Sequence, residues 1–263
     1  MKKLLLVFAA FLMLTSFRID MRGPWVRTEK ANIVLFTRPV DFSATASPDS
    51  MVIANILLEQ ENIIVYINRY LRTDYNSKFE IYLYNFDEAK EKIGTNGGGS
   101  CDSKRKWIFF TYYRQPVFNT YRNEYEYLGV HETVHLIAGT ELGYSKTRFF
   151  GEGYSNAIDG NYGAIWVGDT LVRYRNDSTL QKLKKLGKLS TPGELLHRSE
   201  MPPDLYYPQI GCLMKWLFDE YGVENMNRLY TAKEKQIEKK FFEVTGESFA
   251  DMERKYLAHL HYN

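Results

Sequence analysis

The chain has 263 residues, 44% hydrophobic, 25% charged and 15% aromatic, with 34 basic against 32 acidic side chains and a formal net charge of +2. That balance excludes a disordered tail, a collagen-like chain and a coiled coil, and it supplies no long-range field to attract a nucleic acid. Two cysteines, Cys101 and Cys212, are too few for a disulfide scaffold or a four-cysteine zinc site.

Residues 1–17 read as a secretory signal peptide: Lys2 and Lys3 precede an uncharged apolar run from Leu4 to Leu14, and Thr15 and Ser16 are small. The run is shorter than the about 20 residues a membrane span needs. The expectation is therefore export to the periplasm, cell surface or medium, with no stable membrane span afterwards. Export would permit a Cys101–Cys212 disulfide, although nothing in the sequence sets their distance.

Residues 31–36 (ANIVLF) read as a strand. Ser47-Pro48-Asp49 is a helix start, with a capping hydroxyl, a proline at the first position and an early acid. Ile53, Ile56, Leu57, Ile63, Ile64 and Ile67 then mark a long buried helix to Leu71. Residues 79–84 read as a strand, 87–93 as a short helix, 95–100 as a flexible glycine-rich loop and 107–113 as a strong aromatic strand. From Asn123 the character changes. Residues 123–138 read as a helix stopped by Gly139. Further helices follow over 149–158, 179–186, 192–197, 207–221, 224–230, 237–244 and 249–260. The lysine-rich stretches at 182–188 and 233–240 read as solvated helix faces.

His131-Glu132-Thr133-Val134-His135 fits HExxH on the predicted 123–138 helix. Four residues apart, both imidazoles share one helix face, about 5–6 Å apart at Cβ, so one zinc ion can accept a nitrogen from each. Glu132, one step round, can hold a water as general base without being a ligand. Zinc wants a third protein ligand. Glu141 stands where one peptidase class has its third histidine. Glu152, at the start of a following helix, matches the carboxylate of another class, and Glu141 remains the weaker candidate.

HETVH followed by RFFGEGYSNAI resembles the gluzincin metallopeptidases, in particular the small peptidase-MA-like domains. The likeness extends loosely from about residue 30 to 260, including YPQIGC with its closing Tyr221-Gly222 and the last two helices. It implies an α+β, zincin-like fold: a small mixed β-sheet in the N-terminal half packed on the HExxH helix, then a mostly helical C-terminal half. Residues 18–263 would form one metallopeptidase-like domain, α/β over 18–122 and metal-binding and helical over 123–263. It implies one zinc ion held by His131, His135 and Glu152, with Glu132 as base and Tyr207 as oxyanion donor. Tyr206 could serve instead of Tyr207. Thermolysin-like members carry an acid four residues after the glutamate ligand to support a histidine, and this chain has Asn156 there. His197 is a candidate transition-state donor, and His259 and His261 are expected to face solvent.

The implied activity is that of an exported zinc metallopeptidase that hydrolyses peptide or protein substrates with a zinc-activated water. The strand at 107–113 is expected to be the sheet edge that an extended peptide joins. Two other readings remain open: a non-peptidase zinc hydrolase, and a catalytically silent zincin-like scaffold.

Overall fold

The computed structural model describes residues 25–38, 50–84, 98–112, 116–167, 170–198 and 200–262. The expected signal peptide, the Ser47-Pro48-Asp49 helix start and the 87–93 helix lie outside them.

Five strands form the main sheet: β1 (Val26–Lys30), β2 (Ile33–Thr37), β3 (Phe79–Tyr84), β4 (Gly99–Asp102) and β5 (Trp107–Thr111). Helix α1 (Ser50–Leu71) links β2 to the rest. The sheet order is β1-β2-β3-β5-β4, with β2, β3 and β5 parallel and the two outer strands antiparallel to their neighbours. Alternation along β3 drives its placement. Phe79, Ile81 and Leu83 are buried, with Ile33, Leu35, Ile108 and Phe110 on the same face. On the opposite face Phe36, Tyr82 and Phe109 stack across three strands, with ring centroids 4.7 and 5.4 Å apart. The apolar face packs on α1 through Ile56, Ile63, Ile67 and Leu71, the helical stripe that the sequence carries. By length and composition α1 could cross a membrane, but this stripe lies in the core.

The order corrects one expectation. β5 is an inner strand, and the edge is β4, in the glycine-rich segment read as a loop. Gly98 there has φ +86°, and β4 begins one residue later. Glycine is required at 99 by crowding: a Cβ would lie 2.7 Å from both Phe109 O and Glu132 Cγ.

The second half opens with β6 (Val117–Asn119) and β7 (Glu124–Glu126), a hairpin in the stretch where the 123–138 helix was expected to begin. Asn123 has φ +55° and Gly129 φ +90°, and the EYEY alternation is that of a strand. The helix, α2 (His131–Glu141), begins at the first histidine. It runs through Gly139, which is not a stop. A Cβ there would lie 2.6 Å from Ser103 Oγ, so glycine permits close contact beside β4.

Helix α3 (Arg148–Asp159) follows, capped by Thr147 and ended by Gly160 at φ +76°. A further hairpin, β8 (Asn161–Val167) and β9 (Thr170–Arg175), was not anticipated. The remaining helices are α4 (Asn176–Lys185), α5 (Pro192–His197), α6 (Pro203–Tyr221), α7 (Val223–Leu229), α8 (Ile237–Thr245) and α9 (Phe249–Tyr262). α6 starts four residues before the expected 207, with Pro203 in its first turn and Pro208 inside it. α3 packs closely on α6: a Cβ on Gly153 would stand 2.9 Å from Met214 Cε. Cys101 and Cys212 are both free. The architecture is mixed α+β, with a small mixed sheet and a helical second half interrupted by hairpins.

Candidate metal centre

The start of α2 has no side-chain cap and is fixed from α1 instead. Gln60, fully buried, accepts from Thr133 Oγ1 at 2.9 Å and donates to Gly129 O at 3.3 Å. Next to it, both oxygens of Glu59 accept backbone N–H groups, Tyr127 at 2.7 Å and Leu128 at 3.2 Å. Two polar side chains of one helix thus hold the approach to the first histidine. α3 packs against both α2 and α6 and buries Phe149, Phe150, Tyr154 and Ile158, with the Tyr154 ring on Phe218 of α6.

These helices bring His131, His135 and Glu152 together. His131 Nε2 lies 3.2 Å from His135 Nε2 and 3.3 Å from Glu152 Oε2, and His135 Nε2 lies 3.7 Å from Glu152 Oε1. Ligands at about 2.0–2.1 Å round a tetrahedral zinc stand about 3.3–3.4 Å apart, close to the separation of the two imidazole nitrogens and to that between His131 and the nearer Glu152 oxygen. Glu152 Oε2 is buried without a hydrogen-bond partner of good geometry. An orphaned carboxylate oxygen beside two converging ring nitrogens is the donor set a cation completes. Glu141, the alternative ligand, is exposed at the far end of α2 and stands outside the cluster.

Electrostatics within the cluster are strongly coupled. Burial disfavours charge on His131, but contact with Glu152 and the charges of Glu132 and Asp159 raise its pKa. Burial and the neighbouring His131 cation push His135 down to about 4. Glu152 is lowered despite its burial, because both imidazoles and Arg148 surround it. Glu132 is pushed up to about 7 by burial, with Glu152 and Asp159 adding to the shift.

The cluster lies in a cleft of about 1170 Å³ that β4, α2, α3 and the β8–β9 hairpin help to line. Glu132 is buried on its wall, beside Gly99 of the edge strand. Tyr207 also lines it, with its ring centroid 6.3 Å from that of His131. Arg148 hydrogen-bonds Tyr207 and lies over its ring at 4.9 Å. Tyr206 does not share this position: it is fully buried and its hydroxyl donates to Leu195 O at 3.0 Å. Asn156 does not reach the histidines. Its amide donates to Glu152 O within α3, and it packs towards Gly211. His197 is exposed on α5 and pairs with Glu234 at 2.9 Å, away from the cleft lining. His259 is exposed beside Tyr256, and the side chain of His261 lies outside the described residues.

Sequence reasoning missed Gln60, Gly99, Arg148, Asp159 and Arg173. Gln60 carried a signal: it falls four residues after Ile56 and three before Ile63, on the apolar stripe of α1. The others depend on which strand forms the edge and on a hairpin that went unread. No family model matches the chain, and no curated protein matches it.

Proposed function

We propose that this chain is a zinc-dependent metallopeptidase of zincin-like fold that acts after export. The observation that carries the reading is the convergence of two imidazole nitrogens 3.2 Å apart on the Glu152 carboxylate, whose two oxygens lie 3.3 and 3.7 Å from them, with an acid on the next helical position and, among the described residues, a sheet edge beside it. A zinc ion held by His131, His135 and Glu152 would supply Lewis acidity towards a scissile carbonyl and a water.

The chain's own groups do the rest. Glu132, buried next to the donors, takes the proton of the attacking water and passes it to the leaving amine. Tyr207, steadied by Arg148, offers its hydroxyl to the oxyanion. Among the described residues no strand pairs with the outer side of β4, and its main-chain N–H and C=O groups there suit an extended peptide that adds as a further strand. Gly99 leaves room for Glu132 at that edge.

The test is zinc stoichiometry followed by hydrolysis of a mixed peptide library, with a chelator control. One equivalent of zinc and chelator-sensitive cleavage are expected. Glu132→Gln should keep the zinc and lose cleavage. A purified protein that refuses added zinc, or a metal-loaded Glu132→Gln variant that turns over normally, would overturn the assignment.

A further inference from the structure

Three cationic side chains line the cleft: Lys146, Arg148 and Arg173. Lys146 faces the Tyr144 ring at 5.3 Å. Arg148 is engaged by Tyr206, Tyr207 and Met201 O. Arg173, on β9, is different. Its side chain is only 15% exposed, and its Nε lies 3.1 Å from Glu126 Oε2. Among the described residues no other acceptor is recorded within ion-pair or hydrogen-bond distance of its guanidinium.

Glu126 is itself immobilised. Its side chain is fully buried, it accepts from Asn119 Nδ2 at 2.6 Å, and it pairs with Arg122. Arg122 also pairs with the exposed Glu124. Glu126 therefore pairs with Arg173 electrostatically at Nε, without hydrogen-bond geometry, and among the described residues no acceptor stands at the two terminal nitrogens. Those nitrogens lie against bare backbone two residues before the first histidine: a Cβ on Gly129 would stand 2.9 Å from Arg173 Nη2. Asp159 lines the same cleft and engages Asn161 Nδ2 at 3.3 Å, so the wall as a whole does not attract anions. What remains is one local fork. A largely dehydrated guanidinium with two parallel free nitrogens is matched by a carboxylate, which binds it with two hydrogen bonds.

We propose that Arg173 binds a carboxylate of the peptide substrate and so sets which peptides the cleft accepts. This rests on the peptidase reading above. The carboxylate can come from the substrate's C-terminus or from an acidic side chain near the scissile bond.

The experiment uses one peptide sequence as free acid and as C-terminal amide, each with Asp or Asn at every internal position in turn. Hydrolysis is followed with the zinc-loaded protein. Binding is measured separately by calorimetry on zinc-loaded Glu132→Gln, so it does not depend on turnover. One carboxylate form should bind about 10- to 100-fold more tightly than its neutral counterpart, the factor expected of a charge-assisted pair. Preference for the free acid assigns the C-terminus, and preference for Asp in the amide assigns a side chain. Added to Glu132→Gln, Arg173→Gln should collapse the preference to within about twofold, and Arg173→Lys should restore only part of it. If Arg173→Gln misfolds around the unpaired Glu126, Arg173→Gln with Glu126→Gln removes the pair together and is read in the same way. Equal binding of acid and neutral peptides, binding of none, or a preference that survives both variants overturns the role of Arg173. Hydrolysis without discrimination refutes that role alone. Discrimination in binding without any hydrolysis refutes the peptidase reading alone.

Discussion

Gly99→Ala tests whether the edge strand and the candidate base are in contact as described. A Cβ at 99 would lie 2.7 Å from Phe109 O, 2.7 Å from Glu132 Cγ and 3.0 Å from a Phe110 ring carbon. Ordinary carbon contacts begin near about 3.5 Å, so relief needs a shift of roughly 1 Å. Phe109 O belongs to an inner strand held between β3 and β4 and cannot retreat. The shift must fall on β4 and on the buried Glu132. Overpacking of this kind costs about 1–3 kcal/mol. For a chain of this size that lowers Tm by about 2–10 °C. His131, His135 and Glu152 are not touched, so metal stoichiometry should hold. A base displaced by roughly 1 Å should lose about 10²-fold in kcat. Scanning calorimetry, zinc titration and peptide hydrolysis read the three effects. A Gly99→Ala protein that melts within 1 °C of the parent, about the limit of the assay, would refute the contact and the placement of β4 with it.

Glu152→Ala should abolish stoichiometric zinc binding while leaving the far-UV circular dichroism unchanged; retained zinc would exclude Glu152 as a ligand. Tyr207→Phe should lower kcat about 10- to 100-fold with KM little changed and zinc retained, and an unaltered kcat would remove the hydroxyl from the reaction. Glu59 gives a pH dependence. Burial raises its carboxyl from 4.5 to about 7, against the opposing hydrogen bonds from Tyr127 and Leu128. Its folded-state value lies above the unfolded one, so the folded chain holds the extra proton. Stability from this group is full below about pH 4.5 and declines as pH rises to about 7, by on the order of 3 kcal/mol. The melting temperature of Glu59→Gln should fall less than that of the parent between pH 5 and 8. Parallel curves would contradict the assignment.

How much of this was legible depended on the range of the determining contacts. The long helix, β3 and α5 follow from apolar period and capping residues, which are local. The 192–197 helix was read with the bounds the structure gives, and Thr191 and Glu194 close its start in a capping box that the reading had not named. HExxH and the following Glu-Gly were readable because four-residue spacing and a helix start carry chemistry by themselves. The hairpins at 117–126 and 161–175 were missed. Their alternation is short, and Glu126 is buried only because Arg122 and Arg173 meet it there. The edge strand was misassigned because three glycines resemble a loop. What makes Gly99–Asp102 a strand is its pairing with β5, a non-local fact. Tyr206 and Tyr207 could not be separated by spacing. Packing separates them, with one hydroxyl spent on Leu195 O and the other ring at the cleft.

The candidate centre is arranged by contacts outside its own three side chains. Gln60 ties the start of α2 to α1 through two buried hydrogen bonds. The Thr147 cap, five residues before Glu152, fixes where α3 begins, and Gly153 lets α3 approach α6 closely. Each is independent of the others, and each rests on the common apolar core. Three half-buried groups of mixed charge are costly to bring together, since desolvation opposes the ionised form of each. Contact between Glu152 and the imidazoles offsets part of that cost, raising the pKa of His131 and lowering that of Glu152, and packing of the helices that carry them bears the rest. A small zinc domain without a core folds on its metal. Here the three side chains sit on helices packed into a large apolar core, and the convergence of His131, His135 and Glu152 follows from that packing. Such convergence at an open cleft is the usual mark of a site held for a ligand.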